Sequence, residues 1–409
     1  MSIRDFLSKT VALIKIFLTL PLSFVYFLSG FIPKNSEIWV FGSYHNRFQD
    51  NTKYFFKYIT KNRKNIKAFW LTDDNKTYYL LKKKGYNVLK KYSLQGFWIS
   101  SRAKVIIIAS YRTNVNPYAI RNAFVVNLYH GTFLKTIEFD IPPGYNKNSY
   151  QLMRILNKLS VVFPFYKLNY DMVTASSEFH KRILPQALRI DPAKVFLTGV
   201  PANDIFINRS VPLNENKIIL YLPTFRANKQ FNYFSYNFAA ERWQRMLEEK
   251  QYYLVIKLHP ARGCEDNRYL RKFTQYSRIK FSTVNEDVYD LLLKTDLLIT
   301  DYSSVANDFS VAKKPILFFA PDYNQYIAEE RPIYFDYQEV TGNNRFDDWE
   351  ELRKFIKSKS TLNNIKNSDF IENIIKFKDG KCSERIYNLI CSQIVYPGKN
   401  RKVVASHYK

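Results

Sequence analysis

Cysteine is scarce: Cys264, Cys382 and Cys391 are the three in 409 residues. They form neither a metal-ligand spacing nor an even disulfide set, so the chain reads as resident in a reducing compartment. There is no glycine-rich Walker loop and no GxGxxG, which disfavours a P-loop NTPase or a nicotinamide-dependent enzyme. Asp73-Asp74 is too slight to count as a metal cluster, so no metal-ligating residues are assigned and no cofactor requirement is expected. Zinc-finger spacing, a basic zipper and the aromatic signature of RNA-binding sheets are also missing, so no nucleic-acid partner is expected. Acidic residues are few, 36 Asp+Glu against 62 Lys+Arg, for a formal net charge of +26. A field of that sign favours an anionic partner of some kind, lipid or phosphorylated substrate included. Runs such as Lys82-Lys83-Lys84 read first as solvated faces.

What the chain has in quantity is apolar surface: 46% hydrophobic and 17% aromatic residues exclude a disordered chain. Its length exceeds what one core fills, so two domains are expected. Between Val11 and Ile32 the single charge is Lys15, and the run approaches the ~20 apolar residues that cross a bilayer. Pro21 interrupts it and would break or kink a helix, which favours an in-plane anchor over a span. A buried first helix of the soluble body is the competing reading. No small-x-small cleavage site follows the run.

After Pro33, β-rich apolar runs alternate with helical stretches: residues 36–43, 67–73, 104–110, 124–131, 171–177 and 194–201, with EFHKRILPQAL as a helix. A second series covers 217–225, 252–260, 296–304 and 314–321. The alternation predicts parallel, helix-covered sheets. The polar stretch NRSVPLNENK divides them. The expected division is a membrane-associating segment at 1–33, a first Rossmann-like domain at 34–208, a second Rossmann-like domain at 209–395 and a basic tail at 396–409.

In open α/β sheets ligands bind outside the carboxyl ends of strands, which directs attention to the residues there. Of five histidines, His130 follows FVVNLY and precedes Gly131-Thr132, and His259 follows YYLVIKL. An imidazole so placed can take a proton from an attacking hydroxyl or donate to phosphate oxygens. Each taken alone reads equally well as a structural histidine. Asp301-Tyr302-Ser303-Ser304 follows an apolar strand and opens a helix, an arrangement suited to phosphate. Plain N-capping explains the same residues as well. Thr224, Arg226 and Lys257 end two further strands, and arginine suits bidentate phosphate recognition.

Taken in order, NLYHGTFLK, ILYLPTFR, VIKLHP, LLITDYSSVANDFSVAKKPILFF and RPIYFDY closely resemble the CDP-glycerol glycerophosphotransferase family of teichoic-acid and capsule synthesis. The resemblance covers about residues 36 to 390 and takes in Asn51 upstream. It implies a GT-B-like pair of Rossmann-type domains facing a cleft. It also implies a CDP-glycerol or CDP-ribitol donor, a lipid-linked or polymer acceptor, release of CMP, and work at the cytoplasmic face of the plasma membrane against an anionic membrane surface. Carried over, His130 and His259 are the catalytic pair. Thr224, Arg226, Lys257, Asp301, Ser303 and Ser304 are donor-side residues, and Asn51, Gly131, Thr132 and Asn203 line the acceptor side or cleft. One departure stands out: GVPANDIF places Ala202 where the family commonly has arginine. A nucleotide-sugar glycosyltransferase of the same fold, and a non-catalytic binder of anionic membrane or nucleic acid, are the competing functions.

Overall fold

A computed structural model describes residues 20–142, 145, 159–161, 163–166, 169–208, 216–226, 231–258, 272–283 and 286–395. The first half builds β1 (Asn35–Phe41), β2 (Lys67–Thr72), β3 (Val88–Lys90), β4 (Ala103–Ile108), β5 (Phe124–Asn127), β6 (Met172–Ala175) and β7 (Val195–Leu197). They pair in parallel in the order β3-β2-β1-β4-β5-β6-β7. The second half builds β8 (Lys217–Tyr221), β9 (Tyr252–Ile256), β10 (Ile279–Phe281), β11 (Leu297–Thr300), β12 (Ile316–Phe319) and β13 (Arg345–Phe346). Their order is β10-β9-β8-β11-β12-β13. The α/β, two-Rossmann architecture expected from the alternation is therefore the one observed. In each sheet the order reverses between the first strand and the fourth, and this reversal opens the crevice where such sheets bind ligands.

The apolar runs became strands because helices cover both faces. β6, β11 and β12 are buried at every position, the pattern of a parallel sheet rather than of an alternating, half-wet one. Three strands had no signal in the sequence: β3, β10 and β13 have three, three and two residues and close the sheet edges. The expected helix Glu178–Leu188 forms, with the Ser177 side chain accepting from His180 N at its amino end.

Chain order places residues up to 395 with the second sheet, but the closing helix Cys382–Val395 packs on the first. Ile386, Leu389 and Ile390 join Trp39, Phe41, Phe55, Val105 and Ile107 in one apolar cluster. Asp204 holds the start of this helix by accepting from Cys382 N at 2.8 Å and Ser383 N at 2.7 Å. Burial of that apolar face against the first sheet outweighs proximity along the chain.

Among the described residues no helix is long and apolar enough to cross a membrane. Residues 11–19 of the apolar run lie outside the described residues, as does the tail from 396. The helix Leu20–Ser29 is part docked and part bare. Tyr26 meets Phe165 edge-on at 6.3 Å, while Phe24 and Phe31 are 65% and 71% exposed.

The second core centres on Trp349, which is fully buried. Its Nε1 donates to Tyr233 O at 2.9 Å, and its ring lies 4.0 Å from Phe319 and 4.8 Å from Tyr221. Trp349→Ala is expected to lower the unfolding free energy by about 3–5 kcal/mol, read from urea denaturation. A loss under about 1 kcal/mol would show that the surrounding aromatic rings close the cavity.

Candidate active site

β5 stops at Asn127, three residues before the histidine. The Asn127 Oδ1 accepts from Tyr129 N at 2.9 Å and its Nδ2 donates to Ser110 O at 3.1 Å, so the chain turns sharply. Tyr129 takes a φ of 54°, which is costly for a bulky residue. Asn51 holds that conformation: its Nδ2 donates to Leu128 O and Tyr129 O at 3.2 and 3.0 Å, and its Oδ1 accepts from Ala202 N at 3.1 Å. With both ends of the amide engaged, Asn51 positions the histidine loop rather than facing a ligand.

The His130 ring stacks on Tyr129 at 4.4 Å and lies parallel to Tyr44 at 6.2 Å. Its Nδ1 is 3.4 Å from Ala109 O. A carbonyl only accepts, so Nδ1 is assigned the proton and Nε2 keeps a lone pair. Solvent reaches His130, but protein crowds it on most sides. Burial holds its pKa below 6.5; the Ala109 hydrogen bond opposes this and the charge of Arg331 adds to it.

His180, which carries no strand-end signal, supports the same loop. Its Nδ1 accepts from the hydroxyls of Ser176 and Ser177 at 2.9 and 2.7 Å, and its Nε2 donates to Phe133 O at 2.9 Å. Burial pushes its pKa down to about 4, which keeps it neutral. Ser-Ser three and four positions before a helical histidine is the signal that could have revealed it.

In the second half the expected phosphate ligands are largely occupied with each other. Arg226 is 3% exposed. Its Nε donates to Asp322 Oδ2 at 2.6 Å, its Nη2 to Asp301 Oδ2 at 2.9 Å and its Nη1 to Thr224 O at 2.9 Å. Thr224 gives both its N–H and its hydroxyl to Asp301, at 2.9 and 2.6 Å. Thr224, Arg226 and Asp301, expected on the donor side, are thus bonded to one another. A buried arginine between two carboxylates is already neutralised, and the cluster instead braces the turn that carries Ser303 and Ser304. Lys257 is also buried and donates to Thr283 O at 2.8 Å.

The two serines remain available. Both are half-buried, and Ser304, at the N-cap of the helix Val305–Phe309, accepts no backbone N–H with its side chain. This helix has only five residues, so its dipole adds little and the hydroxyls carry the argument. His259 lies outside the described residues. Asn203 is 2% exposed, and neither atom of its amide has a hydrogen-bond partner among the described residues. Ala202 is fully buried against Tyr54 and Ile205.

The cleft is closed by contacts from one half to the other. Thr132 Oγ1 donates to Asp308 Oδ1 at 2.7 Å and Asn307 Nδ2 donates to Thr132 O at 2.9 Å. Gly131 has a φ of 148°, and a Cβ there would lie 2.9 Å from Ser304 Oγ. Lys53 Nζ pairs with Asp287 at 2.7 Å. Of the residues singled out in the sequence, His130, Gly131, Thr132, Ser303 and Ser304 thus come together. Among the described residues no group of histidine, cysteine or carboxylate side chains could hold a metal ion.

Two parallel Rossmann-type sheets, with the His130 loop on one and the serine turn on the other, make a GT-B-like fold. The chain belongs to the family described as CDP-Glycerol:Poly(glycerophosphate) glycerophosphotransferase, whose profile matches residues 24–392. It is 27% identical over 383 residues to the teichoic acid poly(glycerol phosphate) polymerase of Bacillus spizizenii W23, covering 88% of this chain and 91% of that one. The teichoic acid glycerol-phosphate transferase of Staphylococcus aureus NCTC 8325 is 26% identical, with 87% and 93% covered. The wall teichoic acid polymerase TagF superposes with a TM-score of 0.71 at 21% identity, over 97% of this chain and 98% of that one.

Asn51→Ala strips a partner from two carbonyls and one N–H, all buried. It should cost about 1–3 kcal/mol of stability by urea unfolding. It should also free Tyr129, so quenching of the tyrosine fluorescence by acrylamide rises. An unchanged unfolding midpoint would refute the clamp.

Proposed function

We propose that this chain moves glycerol phosphate or ribitol phosphate from a CDP-activated donor to a hydroxyl of a lipid-linked or polymer acceptor in cell-envelope polymer synthesis, releasing CMP. The observation that carries the proposal is the His130 imidazole, with Nδ1 turned to Ala109 O and Nε2 free, in the same cleft as the uncommitted Ser304 hydroxyl. The acceptor oxygen attacks the β-phosphorus as His130 Nε2 takes its proton. The bond from that phosphorus to the bridging oxygen breaks, and its electron pair leaves on the phosphate of CMP. Ser303 and Ser304 donate to the phosphoryl oxygens, where charge gathers. Positioning and charge stabilisation of this kind are what phosphoryl transfer chiefly requires. His259 is assigned to the donor phosphates by the family resemblance.

Purified protein given CDP-glycerol or CDP-ribitol with a lipid-linked acceptor should release CMP, and His130→Ala should lower the rate by about 10²–10⁴. Absence of release with both donors would reject the substrate class. Because the reactive form of His130 is neutral and its pKa lies below 6.5, kcat/KM should rise with pH to a midpoint below 6.5 and then level off. His130→Ala should lack that limb.

Attachment to an anionic membrane surface is the second part of the proposal. Phe24, Phe27 and Leu28 on one helix, Phe31 in the turn after it, and Leu94 and Trp98 on another helix are all exposed. Both helices flank the turn Pro117–Ala119. Arg121 lies 4.2 Å over the Phe27 ring, so cations border the apolar face, the composition of an interfacial anchor. The protein should float with phosphatidylglycerol vesicles at low salt, and the double variant Phe27→Asp, Phe31→Asp should not. Equal flotation of both proteins would place the contact elsewhere.

A further inference from the structure

The loop after β1 walls the cleft beside His130. The Tyr44 ring lies parallel to the His130 ring at 6.2 Å. Three residues of the loop, His45, Asn46 and Asp50, hold left-handed backbone at φ of 54°, 58° and 61°. Groups at the carboxyl ends of β2 and β3 pin it there. Thr72 Oγ1 donates to Asn46 O at 2.6 Å, Lys91 Nζ donates to Asn46 Oδ1 at 3.1 Å, and Arg47 N donates to Tyr44 O at 3.2 Å. A backbone so restrained fixes the point from which the Arg47 side chain extends, and a pre-set group loses less freedom on binding.

Arg47 is exposed, and no carboxylate of the described residues pairs with it. Three other cations of the region are committed: Arg226 to Asp301 and Asp322, Lys53 to Asp287, and Lys257 to Thr283 O. Although Arg47 belongs to the first half, its charge is felt in the second. Burial lowers the pKa of Lys257, just past β9; Glu286 and Asp287 oppose this and the Arg47 charge adds to it. The guanidinium therefore lies near the opening between the halves, on the same side as His130.

We propose that Arg47 takes the phosphodiester of the acceptor's terminal polyol unit, and so selects acceptors whose attacking hydroxyl lies close to a phosphate. The assignment rests on the phosphotransfer reading above. Ser303 and Ser304, which serve the phosphoryl group being transferred, stand on the second half, whereas Arg47 stands with His130 on the first. The molecule against His130 is the one that loses a proton, which is the acceptor. Its own phosphate must approach a donor that already carries two, and like charges repel. A cation on the acceptor's side offsets that repulsion. The guanidinium fork meets two phosphate oxygens at once and keeps its charge at every working pH.

The test measures kcat and acceptor KM for wild type, Arg47→Gln and Arg47→Lys, with an acceptor ending in a polyol phosphate and with a neutral acceptor ending in a glycerol hydroxyl. Calorimetry follows the binding of CDP and, separately, of a short oligo(glycerol phosphate). Arg47→Gln should raise KM for the phosphate-bearing acceptor by about tenfold or more, lower kcat less, and shrink the preference over the neutral acceptor by a similar factor. Oligomer affinity should fall in step, while CDP affinity stays within about twofold. Arg47→Lys should recover part of the loss, since an ammonium keeps the charge but not the fork. Urea midpoints check that the variants fold; should Arg47→Gln not fold, Arg47→Lys bears the KM comparison. An acceptor KM within about twofold of wild type, or a parallel loss of CDP affinity, overturns the assignment. Oligomer binding that depends on Arg47, without CMP release from either donor, keeps the phosphate site and overturns the transfer reading.

Discussion

Thr132 donates its hydroxyl to Asp308 across the boundary between the two halves, and Gly131 beside it has no room for a Cβ because Ser304 Oγ would be 2.9 Å away. These two neighbouring residues set the separation of the His130 loop from the serine turn. A side chain at 131 would push the halves apart and carry His130 with it. The contact is made at an electrostatic cost: burial raises the Asp308 carboxyl to about 6, and the hydroxyls of Thr132 and Tyr289 offset part of that cost. A buried acid so placed ties folding of the interface to the geometry of the site, since the carboxylate is satisfied only when both hydroxyls arrive.

The same logic of satisfied charge divides the cations of the second half. Arg226, between Asp322 and Asp301, has its charge more than matched and is buried, so it acts as scaffold: it fixes Asp301, which fixes Thr224 and the start of the serine turn. Tyr302 joins this cluster through its hydroxyl on Asp322 at 2.9 Å. A buried ion pair of this kind contributes little net stability against an apolar replacement, but loss of one partner leaves a bare charge. Its value here lies in rigidity. The cation useful to a ligand is one whose partner is not supplied by the protein.

The sheets were legible in the sequence because KVIIIAS, DLLITDYSS and KPILFFAP are long apolar runs with polar ends. β3, β10 and β13 were not, since two or three residues at an edge carry no periodicity. The His130 loop was legible as a strand end, but the strand stops three residues early because Asn127 turns its own backbone, which no pattern of hydrophobicity records. Arg226 was readable as a cation at a strand end. Its partner Asp322 lies 96 positions away, so its commitment was invisible. Distance in sequence hid the contact of Thr136 with Pro332 as well, for they are 196 positions apart. The closing helix shows the limit of chain order as a guide to domains, for its apolar face found the first sheet rather than the nearer one.

Five of the ten non-glycine residues with positive φ among the described residues fall in two stretches of the first half. His45, Asn46, Asp50, Tyr129 and Glu138 all have positive φ, between 48° and 61°, and all belong to the loops following β1 and β5. Each such residue costs of order 1 kcal/mol or more. The cost persists only because neighbours hold each one: Asn51 fixes Tyr129, and the Ser43 hydroxyl donates to Asp50 at 2.9 Å. The strain therefore buys orientation before any ligand arrives. With Tyr129 held left-handed, the imidazole is already stacked and its Nδ1 already turned to a carbonyl, so a ligand in the cleft need not rotate His130. Had the loop been relaxed, that ordering would have to come out of the affinity for the donor and acceptor.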